Sequence, residues 1–242
     1  MVFTTQRSGS TWLMSVLNNL DGVTTQGELF RPRPRSSERR WDSDFSRPRY
    51  VESRESVGRL RPFSVFRYLD AFYGTPESVA FKLMYSQLRA YPEILVYLMR
   101  RRIPVVHLVR SNHLDVLISF AVKRAIQQAH ILSEDERPKD IQVEIPPDSL
   151  LYNLKKLQFK HDAARKLLRL ARVRHLEVTY EELVADPSCF EEVLAFLDAR
   201  VSGELLRSNI LKSRVGSQRD VIRNYDEIQR VLEGSRFADL LE

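Results

Sequence analysis

Residues 1–20 read MVFTTQRSGSTWLMSVLNNL. A short apolar run with β-branched residues, Val2 to Thr5, meets a polar turn, Gln6-Arg7-Ser8-Gly9-Ser10. From about Thr11 the apolar residues Trp12, Leu13, Val16, Leu17 and Leu20 recur at helical spacing. Strand, glycine-containing turn and helix follow one another within a few residues. Such a turn gathers free backbone N–H groups and the positive end of a helix dipole at one point, which is a ready anion site. Arg7 adds a fork of donors, and Ser8, Ser10 and Thr11 add hydroxyls. The expected ligand group is a phosphate or a sulfate. The triphosphate-binding loop GxxxxGK followed by Ser or Thr does not fit, because both its leading glycine and its lysine are missing.

Composition sets the bounds. A chain of 242 residues fits one large domain or two small ones, and a 43% hydrophobic fraction suffices for a core. The net charge of +6 favours anionic partners. Arginines crowd one segment: residues 31–62 hold Arg31, Arg33, Arg35, Arg39, Arg40, Arg47, Arg49, Arg54, Arg59 and Arg61 among prolines and serines. With few apolar anchors, this segment reads as a long insertion that is mobile or ordered by ligand, a lid. The lone cysteine, Cys189, excludes an internal disulfide and fits a reducing compartment. No signal peptide precedes the first strand and no apolar run approaches a membrane span. The expectation is a cytoplasmic protein, or an excised soluble domain of a longer one.

Further along, buried-strand patterns occupy 79–84 and 105–109, a shorter strand 23–25, and another 175–179. Helical patterns lie between them: 63–72, from Tyr91 to Arg102, from Leu114 towards Gln128, from Asp148 to about Leu170, and 188–197, with a last helix from about Asn224. Strands alternating with helices predict an α/β fold with a mainly parallel central sheet flanked by helices. Ligands in such sheets sit beyond the carboxyl ends of the strands. Arg7, Met84 to Gln87, Arg110 and Tyr180 should therefore gather on one edge.

QRSGSTW resembles the 5′-phosphosulfate loop of sulfotransferases that use 3′-phosphoadenosine 5′-phosphosulfate (PAPS). The segment HLVRSNHLDVLISF, 107–120, is a second strand–turn–helix. It is similar to the family's 3′-phosphate motif, with Arg110 at the strand end and Ser119 nine residues on. The form RxNxLDxxxS resembles a bacterial and plant branch. Thr179-Tyr180-Glu181-Glu182-Leu183, with Asp186-Pro187, resembles the family's TYEEL-DP stretch near the adenine. Tyr180 there is either a base-packing ring or a core tyrosine. Residues 211–228, LKSRVGSQRDVIRNYDEI, resemble the loop that returns over the 3′-phosphate, with Lys212, Ser213, Arg214, Ser217 and Arg219 as candidates.

The resemblance implies a P-loop-NTPase-like sulfotransferase fold over a single domain, 1–242, and a transferase that moves a sulfuryl group from PAPS to an acceptor hydroxyl. Donor binding then falls to Arg7, Ser8, Gly9, Ser10, Thr11, Trp12, Arg110, Ser119, Tyr180, Lys212, Ser213 and Arg214. Arg7 stabilises charge on the bridging oxygen, and Lys82 is either within reach of the sulfuryl group or a solvated lysine at a strand edge. The Lys-Thr-His triplet of cytosolic relatives is absent. Glu28, at a Gly-Glu turn after the second strand, is the candidate general base, an arrangement similar to sulfotransferases acting on trehalose, tyrosine or glycans. His107 is expected in the core, His113 at a helix start, and His130, His161 and His175 at the periphery. No cluster has metal-ligand spacing. Two other readings stand beside this one: a P-loop-like small-molecule kinase, and a non-enzymatic polyanion binder using the Arg-rich segment. No nucleic-acid partner is expected, since aromatic interleaving is sparse.

Overall fold

The computed structural model describes residues 1–31, 50, 60–126, 141–186, 188–199 and 216–241. The expected lid therefore lies almost wholly outside the described residues, as do Lys212, Ser213 and Arg214.

Five strands form one parallel sheet: β1 (Val2–Thr4), β2 (Val23–Gln26), β3 (Ser78–Met84), β4 (Val105–Val109) and β5 (His175–Thr179), in the order β2-β3-β1-β4-β5. Parallel neighbours need crossovers, and these supply helices to both faces. Alternation along the strands sorts the core. Phe3, Phe81, Leu83 and Val105 face α2 (Arg61–Tyr73), α4 (Glu93–Arg101) and the second half of α6 (Pro147–Leu170). Val2, Val106, Leu108 and Val178 face α1 (Ser10–Asn18), α7 (Tyr180–Ala185) and α8 (Cys189–Phe196). A third cluster joins α5 (His113–Ile126), the first half of α6, α9 (Gln218–Val221) and α10 (Tyr225–Leu232). The α/β expectation holds, with a sheet parallel throughout the described residues.

Three short helices were not expected. α3 (Tyr85–Ala90) and α7 start directly at the ends of β3 and β5, and α9 spans a single turn. All three are too short to show a period. α9 instead carries a capping box, in which the Ser217 hydroxyl accepts from the Asp220 N–H and the Asp220 carboxylate accepts from the Ser217 N–H.

The pairing register sets Phe3, His107 and Glu177 in one row across β1, β4 and β5. His107 is fully buried. Its Nδ1–H donates to the Glu177 carboxylate at 2.9 Å, which leaves Nε2 as the acceptor for the Tyr85 hydroxyl at 2.7 Å. Arg165 of α6 closes the row by donating to both oxygens of Glu177. His161, expected at the periphery, is 2% exposed. It continues the inward stripe Leu150, Leu154, Leu157, His161, Ala164, Leu168 and lies against Tyr85 and His113.

Burial holds both histidines neutral, lowering His107 to about 4 and His161 to about 3. The unfolded chain protonates these rings near pH 6.5 and the folded one does not, so acid stabilises the unfolded state. Stability should fall as pH drops from about 6.5 to about 4, by roughly 2 kcal/mol for His107 alone. Urea midpoints across that range measure it. His107→Gln retains one donor and one acceptor and should flatten the profile; a midpoint unchanged over the range would refute the assignment.

Candidate anion-binding and transfer site

The β1–α1 loop turns within a few residues because two of them, Arg7 (φ 62°) and Gly9 (φ 82°), adopt left-handed backbone. Inside the loop the Ser8 hydroxyl donates to the Thr4 hydroxyl at 2.6 Å and stands 2.9 Å from the Thr5 carbonyl. Thr4 donates in turn to the Leu108 carbonyl of β4 at 2.7 Å. Ser8 is fully buried. Its hydroxyl is thus an internal anchor, and only its backbone remains for a ligand. Gly9 caps α1 with no side-chain bond, and no acid lies in the first turn. The positive end of that helix is left open.

At Gly9 a Cβ would stand 2.1 Å from Cδ2 of Tyr180. Tyr180, only 9% exposed, meets Trp12 edge-on at 5.6 Å and carries the Arg110 guanidinium over its ring at 5.1 Å. Trp12 packs further against Phe190. Tyr180 and Trp12 therefore pack together under the loop.

Arg7 reaches across to α5, where its Nε–H donates to the Ser119 hydroxyl at 2.8 Å. This bond joins the first turn to the second. Arg110 donates through Nη2 to Asp115 at 2.6 Å, through Nη1 to the Arg7 carbonyl at 3.4 Å, and stands 3.7 Å from Glu181. Its buried Nε finds no hydrogen-bond acceptor. Burial and the charge of Arg110 both lower the pKa of Arg7, so the two guanidiniums are close enough to repel. The amides at the start of α5 are not open: Ser111 and Asn112 N–H both donate to the Glu181 carboxylate, at 3.0 and 3.2 Å. The second turn thus offers guanidinium donors, whereas the first offers backbone.

On the other flank, Lys82 is 8% exposed and donates from Nζ to the Thr11 hydroxyl at 3.1 Å. It faces α1 and is not a solvated edge residue. Burial lowers its pKa, nearby Glu28 opposes this, and Arg31 and Arg7 add to it. Glu28 is half-buried, on a turn that packs against β3 through the Lys82 N–H and the Gly27 carbonyl, 3.2 Å apart. Its carboxylate accepts from Gln87 Nε2 at 2.6 Å. Gln87 is 5% exposed, and its Oε1 accepts from the Met84 N–H at 3.1 Å. A backbone N–H can only donate, so the amide is pinned with its NH₂ towards Glu28. This partner of Glu28 was missed in the sequence, although Gln87 stands three residues after the strand-end Met84, a capping spacing.

Arg7, Thr11, Glu28, Lys82, Arg110 and Ser119 are thus brought together at the carboxyl edge, with buried Ser10 opening α1. Ser217 and Arg219 make local contacts at the start of α9. Ser217 caps α9, and exposed Arg219 pairs with Asp226 and lies over Tyr225. Among the described residues no group of three or more His, Cys, Asp or Glu is arranged to hold a metal, and no helix is long and apolar enough to cross a membrane.

No family model matches the sequence, and no curated protein matches it. Among solved structures, the chain resembles the crystal structure of mouse sulfotransferase SULT7A1 complexed with PAP, at 15% identity and a TM-score of 0.45. The likeness covers 85% of this chain, which spans 59% of the length of that one.

Gly9→Ala should destabilise the protein by about 2–4 kcal/mol, combining left-handed strain with a clash that Tyr180 must relieve. Gly22 has a similar φ of 71° with nothing within 4 Å, so Gly22→Ala should cost only the strain, about 1 kcal/mol. Equal losses in urea unfolding would show that Tyr180 does not press on the loop.

Proposed function

We propose that this chain is a sulfotransferase that moves a sulfuryl group from PAPS to an acceptor hydroxyl by in-line displacement, with residues 1–242 acting as one domain. The observation that carries this reading is the convergence on the open end of α1. A cation on each side, Arg7 and Lys82, faces it, and a carboxylate held by Gln87 lies beside Lys82. The loop has neither the leading glycine nor the lysine of a triphosphate loop, which favours sulfuryl over nucleoside-triphosphate chemistry.

Sulfuryl transfer needs in-line placement and charge stabilisation on the equatorial and leaving oxygens. The open amides of α1, Arg7 and the Thr11 hydroxyl bind the 5′-phosphosulfate. Arg7 stays protonated and acts by its field on the bridging oxygen. Lys82, held in place by Thr11, supplies a second positive charge at the sulfuryl group. Arg110 and Ser119 hold the 3′-phosphate, and the Nε of Arg110, which makes no hydrogen bond and stands 3.7 Å from Glu181, is a donor suited to it. Glu28 takes the proton from the acceptor hydroxyl, and Gln87 fixes which of its oxygens is free to do so.

Transfer of radiolabelled sulfate from PAPS, profiled across sugars, lipids, phenols and peptides, tests the activity. On the best acceptor, Glu28→Gln should lower turnover about 10²–10⁴-fold. Gln87→Leu should lower it by up to about 10²-fold through misplacement of the same carboxylate. Affinity for adenosine 3′,5′-bisphosphate should stay within a few-fold in both. Near-normal turnover of Glu28→Gln would refute its role as base.

A further inference from the structure

The outward face of α6 has no part in this chemistry. The helix buries Leu150, Leu154, Leu157, His161, Ala164 and Leu168. Its opposite side should then be polar, and it is not. Tyr152 is 65% exposed, Phe159 72% and Leu170 73%. Tyr152 and Leu170 stand eighteen residues apart, five full turns, so they lie in line. Phe159 and exposed Ala163 fall within about 20° of the same line at 100° per residue. The result is an apolar ridge about 27 Å long.

Exposed Lys155, Lys156, Lys160, Lys166 and Arg169 flank it on both sides. Lys156 lies over the Tyr152 ring, and the other four have no ion-pair partner among the described residues. The exposed acids of the helix are Asp148 in its first turn and Asp162, which is paired with Arg165. The face is therefore apolar along its crest and unneutralised along its slopes.

We propose that this ridge docks the protein on an anionic membrane surface. An aromatic and aliphatic crest between rows of lysines is the pattern of a helix lying in a lipid interface. Its shape supports lipid over protein: a lone convex helix face needs a matching groove on a protein, whereas lipid headgroups part around it. Charge argues against a second copy of this chain, because antiparallel pairing of two such ridges brings lysine rows together. Anionic lipid supplies the complementary charge.

Sedimentation of the full chain with phosphatidylcholine vesicles, with and without phosphatidylserine, tests the proposal. Binding is expected only with phosphatidylserine, and it should weaken at least about tenfold at high salt. The double variant Phe159→Glu with Leu170→Glu should lose about tenfold or more of the binding. Both residues are largely exposed, so its Tm and circular dichroism should match the parent. Absence of binding at low salt overturns the proposal, and so does unchanged binding of a folded double variant. A dimer seen by ultracentrifugation and dissolved by the same substitutions, or binding to an acidic protein without binding to vesicles, would overturn it in favour of those occupants.

Discussion

One aromatic ring organises the carboxyl edge. Tyr180 lies where a side chain of residue 9 would be, so any residue there but glycine must displace the ring for the β1–α1 loop to close. The same ring supports Arg110 on one side and meets Trp12 at the start of α1. Three turns, after β1, β4 and β5, are thereby held at fixed separations by packing rather than by a ligand. The hydrogen bonds from Ser8 to Thr4 and from Thr4 to Leu108 tie the first turn to β4 from below. The N-terminal end of α1 then lies beside two cations, Arg7 and Lys82.

Positive charge is concentrated in the site. Asp115 and Glu181 orient Arg110 and offset much of its field, and Arg7 donates from Nε to the Ser119 hydroxyl. Burial next to other cations lowers the pKa of both Arg7 and Lys82, which marks positive charge held against its own repulsion. An anion placed between them relieves that repulsion, and this is the electrostatic reason to put the transferring group there. Glu28 belongs to a different environment: it is held by a neutral amide, which leaves its second oxygen free of that bond.

Much of the fold was legible because the parallel strands are short apolar runs separated by helical periods. The strand ends placed Arg7, Gln87 and Arg110 on one edge before any packing was known. Side-chain direction was less legible. In FKLM the alternation of the strand turns Lys82 to the α1 face, but only the position of α1 shows that this face is buried. His161 was legible and overlooked, since it continues the leucine stripe of α6 between polar neighbours Lys160 and Asp162. The Glu181 carboxylate on the α5 amides joins residues seventy apart, a pairing that no local pattern encodes.

A joint site for two phosphates is the central claim, and comparative calorimetry tests it most directly. Adenosine 3′,5′-bisphosphate should bind the protein at least about tenfold tighter than adenosine 5′-phosphate, the size of one charge-assisted contact. Arg110→Ala should bring the two affinities together by weakening only the bisphosphate. Equal affinity of the two nucleotides for the unmodified protein would contradict a 3′-phosphate site at Arg110 and Ser119.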